Sequence, residues 1–135
     1  MTRKKVKRPY MDLHFLVEVY NVDKDKLTDM KQIEERCIRA CQYDDVEILS
    51  VTTDEFGFHG VTCTVDLGET RLSCTTWPEK QLCEIDIITC GTNNPREAAF
   101  SLLDYFDSDD YTMNDYERSV SYTHLTLPTT KQGGV

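Results

Sequence analysis

Apolar and polar positions alternate most cleanly at residues 61–67, where Val61, Cys63, Val65 and Leu67 interleave with Thr62, Thr64 and Asp66. A period of two over that length predicts a half-buried β-strand. Gly68 ends it, and Arg71 to Thr76 predicts a further strand stopped by Pro78. Leu82 to Thr89 predicts another. Leu13 to Val22, with Phe15, Val17, Val19 and Tyr20, and Val46 to Thr53 predict two more. Between Lys26 and Tyr43 the period lengthens: Leu27, Met30, Ile33, Cys37 and Cys41 recur at helical spacing with charges between them, an amphipathic helix. Asn94-Pro95-Arg96-Glu97 reads as a helix start, with an N-cap, a proline at the first helical position and a glutamate three after the cap. Ala98, Ala99, Leu102, Leu103 and Phe106 give that helix its apolar face. The order β-α-β-β-β-β-α predicts an antiparallel sheet with helices on one face, a two-layer sandwich of the α+β class.

Composition narrows this picture. At 135 residues, 39% apolar and 29% charged, the chain reads as one soluble domain. No apolar run approaches the ~20 residues that span a bilayer, and no signal peptide follows the basic start, so the expected location is cytoplasmic with no membrane partner. Charge is segregated. Residues 1–8 hold five basic residues and no acid, an arm expected to be disordered, whereas residues 9–119 hold nine basic against 24 acidic residues, a balance of −15. Such a body repels nucleic acid; it either attracts cations such as polyamines or a sulfonium, or is simply a solvated acidic surface. The six cysteines include no Cys-x-x-Cys pair and no histidine spaced to complete a metal site, so no metal is expected and the thiols read as small buried apolar residues. His14 and His59 show no partner in the sequence.

Two segments carry chemistry. Residues 69–79 read Glu-Thr-Arg-Leu-Ser-Cys-Thr-Thr-Trp-Pro-Glu, and residues 85–91 read Ile-Asp-Ile-Ile-Thr-Cys-Gly. Together with Gly60-Val61-Thr62 they resemble the self-cleavage and active-site segments of the small prokaryotic S-adenosylmethionine decarboxylases. In that family the first segment reads Glu-Ser-His-x-Thr-x-His-Thr-x-Pro-Glu. The resemblance runs from about Leu13 to Phe106.

It implies a lyase of polyamine (spermidine) biosynthesis that makes its own pyruvoyl group by autocatalytic cleavage and joins substrate to it as a Schiff base. Position by position, cleavage would fall between Glu69 and Thr70, and Thr70 stands where the family has its serine. A threonine there would give a 2-oxobutyryl group in place of pyruvoyl, from a bulkier alcohol restricted at χ1. Thr75 stands where the family has a processing histidine, and a threonine hydroxyl cannot move protons both ways near neutral pH. Arg71 also replaces a histidine. Thr62 matches a serine that assists processing. Cys90 matches the cysteine that returns a proton after carbon dioxide leaves. Glu79 matches a carboxylate for the ribose hydroxyls, and Phe56 an aromatic that stacks on adenine.

Without the resemblance, the same residues read as strand-formers, a buried thiol, an exposed acid and a core or loop aromatic. Trp77 reads as packing at a strand end, its indole N–H needing a partner. Two functional readings follow. One is a decarboxylase acting on S-adenosylmethionine or a related amino acid, processed at Thr70. The other is an uncleaved, non-catalytic paralogue with no such cofactor, serving as a regulatory or ligand-binding subunit. The resemblance implies a homodimer, or a heterodimer with a paralogue. Residues 120–130, Val-Ser-Tyr-Thr-His-Leu-Thr-Leu-Pro-Thr-Thr, resemble the conceptual translation of a sequencing adaptor. The expectation is a domain over residues 10–119, followed by an artefactual or disordered tail that enters no site.

Overall fold

A computed structural model describes residues 11–42, 46–89 and 95–119. Its strands are β1 (Met11–Tyr20), β2 (Ser50–Phe56), β3 (Gly60–Asp66), β4 (Thr70–Trp77), β5 (Leu82–Thr89) and β6 (Asp110–Ser119); its helices are α1 (Lys24–Thr28), α2 (Met30–Ala40) and α3 (Pro95–Phe106). The strands form one six-stranded sheet in the order β2-β3-β4-β5-β1-β6, each pair antiparallel. The helices pack over a single face, α2 across β2 and β3, and α3 across β1 and β5. This is the two-layer α+β sandwich that the periodicity predicts.

Alternation divides every strand between the two faces. On the covered face Phe15, Val17, Val61, Val65, Leu72, Ile85 and Ile87 are buried against Leu27, Ile33, Leu102 and Phe106 of the helices. Cys37, Cys41, Cys63, Cys74 and Cys83 belong to the same core, all free and buried, as expected of small apolar residues. Burial raises Cys41 to about 12. A hydrogen bond with Cys37, then burial, pushes the Cys63 thiol up as well. A thiol held this far from ionisation is a poor nucleophile.

The expected helix from Lys26 to Tyr43 is two helices, meeting at Asp29. The Asp29 carboxylate accepts from the Gln32 N–H at 3.1 Å, so a side chain takes over the first-turn donor and the backbone leaves the helix at φ −84°, ψ 87°. Thr76 ties α1 to the sheet. Its buried hydroxyl donates to the Leu27 carbonyl at 2.7 Å and accepts from the Val61 N–H at 2.9 Å. The first strand runs over Met11–Tyr20, not to Val22, and the second begins at Ser50, not Val46.

Strand β6 has no counterpart in the periodicity. Its sequence Asp-Tyr-Thr-Met-Asn-Asp-Tyr-Glu-Arg-Ser shows little apolar alternation. It is an edge strand, and backbone pairing with β1 over Met11↔Ser119 to Tyr20↔Asp110 holds it in place. The N-cap expected at Asn94 lies outside the described residues, but Pro95 opens α3 as predicted.

Candidate functional site

The peptide between Glu69 and Thr70 lies where the β3–β4 hairpin turns. Asp66 pairs with Arg71, and the Leu67 N–H donates to the Thr70 carbonyl at 2.8 Å. Gly68 takes φ 92° at the first central position, a backbone that favours glycine. The Asp66 carboxylate accepts from the Gly68 N–H at 2.9 Å and stiffens the turn. Glu69 is exposed, whereas Thr70 is only 2% exposed. The Thr70 hydroxyl lies on the covered face, 3.0 Å from the hydroxyl of Thr89, its register partner on β5. Thr89 is equally buried. Sequence reading missed Thr89, which looked like the last β-former of a strand; only the β4–β5 register brings it to Thr70. Cys90 follows Thr89 in the chain and lies outside the described residues.

The remaining candidates gather elsewhere. Thr62 and Thr75 are register partners on β3 and β4, side by side on the uncovered face. Phe56, at the end of β2 on that face, meets Trp77 edge-on at 5.3 Å between centroids. Gly60 makes room for the ring: a Cβ there would stand 2.9 Å from Phe56 Cζ and from the Thr76 carbonyl oxygen. The Trp77 indole finds its partner in Glu84, donating to Oε1 at 3.4 Å. Glu79 is exposed in the 3-10 turn Pro78–Lys80 that follows β4.

Five residues of strand separate Thr70 from Thr75, about 17 Å at the usual rise of a β-strand. An odd separation also sends the two side chains to opposite faces. Within one chain the structure therefore brings Thr62, Thr75, Phe56 and Trp77 together, and holds Thr70 and Thr89 apart from them.

Charge is concentrated on the uncovered face. Glu84 of β5 stands opposite Glu18 of β1, an arrangement that repels unless each carboxylate finds donors. Glu18 accepts from the Tyr20 hydroxyl at 2.9 Å and the Thr112 hydroxyl at 3.4 Å, and Glu84 from Trp77. The bond to Glu18 raises the Tyr20 phenol above its ordinary value. His14, which has no partner in the sequence, lies 2.5 Å from Asp86 across β1 and β5, and His59 lies 3.0 Å from Glu55.

These segments have known counterparts. The S-adenosylmethionine decarboxylase family profile matches residues 13–119. The chain is 39% identical over 90 residues to S-adenosylmethionine decarboxylase proenzyme 2 of Bacillus cereus, covering 67% of this chain and 73% of that protein. It is 34% identical over 108 residues to the S-adenosylmethionine decarboxylase proenzyme of Moorella thermoacetica, covering 79% and 86%. The crystal structure of the adenosylmethionine decarboxylase from Aquifex aeolicus superimposes with a TM-score of 0.72 at 27% identity, covering 87% of this chain and 98% of that one. This chain belongs to the S-adenosylmethionine decarboxylase family. The match reaches Ser119, past the Phe106 limit of the resemblance in sequence, and so takes in β6.

Proposed function

We propose that this chain is a self-processing S-adenosylmethionine decarboxylase of polyamine biosynthesis, working in the cytoplasm, with Thr70 as its nucleophile. The observation that carries the reading is a hydroxyl kept directly after Glu69, at a tight turn, buried and bonded to Thr89 at 3.0 Å. Burial and the bond to Thr89 restrict the Thr70 side chain to one place at the turn. The keto group formed at Thr70, 2-oxobutyryl, would supply the electron sink for decarboxylation. Thr70 and its own peptide are its only source, so the fit rests on that turn. Glu79 would bind the ribose hydroxyls, Phe56 would offer an aromatic face to the base, and Cys90 would return the proton.

A proton-moving group must come within hydrogen-bond reach of Thr70, directly or through one water. The gap of about 17 Å along β4 supports a homodimer in which one copy offers its Thr62–Thr75–Phe56 cluster to Thr70 of the other. The uncovered face has the character of an interface, with half-buried Leu16, Ile88, Leu82 and Trp77 among its polar residues and no helix among the described residues packed over it.

Expression of the full chain, followed by a denaturing gel and intact mass analysis, tests the reading. Two fragments divided before Thr70, the second with a blocked keto terminus, are expected. A single intact chain after prolonged incubation would sink it. That outcome would favour the second reading, an uncleaved partner subunit, for which threonine at position 75 speaks.

A further inference from the structure

Self-processing moves protons, and neither hydroxyl of the Thr62–Thr75 pair is a useful base. First, Thr70 Oγ1 bonds to the Glu69 carbonyl carbon, the Glu69–Thr70 C–N bond breaks, and the hydroxyl proton passes to the freed amine. Next, the Cα proton of residue 70 leaves, the Cβ–Oγ1 bond breaks, and Glu69 departs as a carboxylate. Water then hydrolyses the dehydrated residue to a ketone and ammonia. Both early stages need a group that accepts a proton and gives it back.

The sheet register supplies one. Thr62 on β3, Thr75 on β4, Glu84 on β5, Glu18 on β1 and Thr112 on β6 are successive cross-strand partners, one straight row over the uncovered face. Directly opposed residues hold their Cβ atoms about 4.5–5.5 Å apart, so Glu84 and Thr75 are immediate neighbours on this face. Trp77, two residues beyond Thr75 on the same face, anchors Glu84 Oε1 through its indole N–H. Phe56 packs edge-on against Trp77 and fixes the anchor. Glu18, the other carboxylate in the row, is engaged by Tyr20 and Thr112. Glu84 therefore keeps Oε2 clear of its only side-chain donor among the described residues.

We propose that Glu84 is the proton carrier of self-processing, accepting the proton released at residue 70 and standing in for the base that Thr75 cannot be. The proposal rests on the reading above, including the second copy that brings this row to Thr70.

The test is Glu84→Gln in the full chain, which keeps size and shape but cannot carry a proton. Cleavage rate is read by gel and intact mass from about pH 5 to about pH 9, with circular dichroism confirming the fold. The expected result is a fall of roughly 10²–10⁴-fold with a changed pH profile. Adding Thr75→His to Glu84→Gln should restore cleavage, with a pH dependence centred near the ordinary histidine range. If Glu84→Gln cleaves at the parent rate with the parent profile, the role of Glu84 falls while self-processing stands. If it stops cleaving and Thr75→His restores nothing, Glu84 is structural and the proposal is overturned. If the parent chain itself never cleaves, the processing reading and this inference fall together.

Discussion

The two faces of one sheet do different work with the same backbone. The covered face is apolar side chains and thiols, with three buried threonines: Thr76 bonded to two backbone groups, and Thr70 and Thr89 to each other. The uncovered face carries Glu18, Glu84, Asp86 and His14 in its middle, each charge tied to a neighbour. The contrast shows how a small domain separates stability from chemistry. Packing sits where water is excluded on both sides. Apart from Thr70, the groups proposed to exchange protons or meet a ligand sit where water, or a second molecule, can reach them.

The sharpest way to break this division is at Thr70, the candidate nucleophile that lies on the packing face. Thr70→Val keeps the shape and removes the hydroxyl, so no cleavage at all is expected on a gel. Thr70→Ser with Thr75→His should accelerate cleavage by roughly 10²–10⁴-fold, the usual worth of acid–base assistance. A double variant that remains intact would show that the covered face holds no reaction centre.

Stability measurements separate the faces next. Leu72→Ala on the covered face should lower unfolding free energy by about 2–5 kcal/mol, as buried leucine truncations do. Ile88→Ala on the uncovered face should cost much less in a dilute monomer, and should weaken self-association in sedimentation. Equal losses in urea titrations would erase the distinction. Thr76→Val strands the Val61 N–H and leaves the Leu27 carbonyl without its donor, an expected loss of about 1–3 kcal/mol by the same titration.

The thiols give the smallest effect, and it depends on pH. The folded values of Cys37, Cys41, Cys63 and Cys74 lie above the unfolded value of 9.0, with Cys41 at about 12. The unfolded chain then loses thiol protons first as pH rises. The stability they contribute is complete below about 9 and drains away as pH climbs toward about 12, by at most ~1.4 kcal/mol per thiol per pH unit. Urea midpoints under reducing conditions at neutral and alkaline pH should fall accordingly; a flat series would mean the thiols are already open to solvent.

Periodicity carried far where one face was apolar. Strands β3 and β5 and the apolar face of α3 are legible because each alternates, or repeats helically, around a buried stripe. It failed at Asp29, where a single carboxylate outcompetes the helix backbone, and at β6, whose place depends on hydrogen bonds to β1 that side-chain patterning does not encode. The site divides the same way. The motif at 69–79 and the residues Thr62, Glu79 and Phe56 are picked out by the family resemblance. Thr89 and Glu84 do not, because their partners Thr70 and Thr75 lie on another strand.

The sequence by itself determined the class of fold and the family, because these are matters of residue type and local order. Tertiary structure alone decided which face each residue occupies and what stands beside it. Register is a pairing between distant segments, and shifting it by one residue would reverse every side chain in the strand. That register places Thr89 against Thr70, and Glu84 against Thr75.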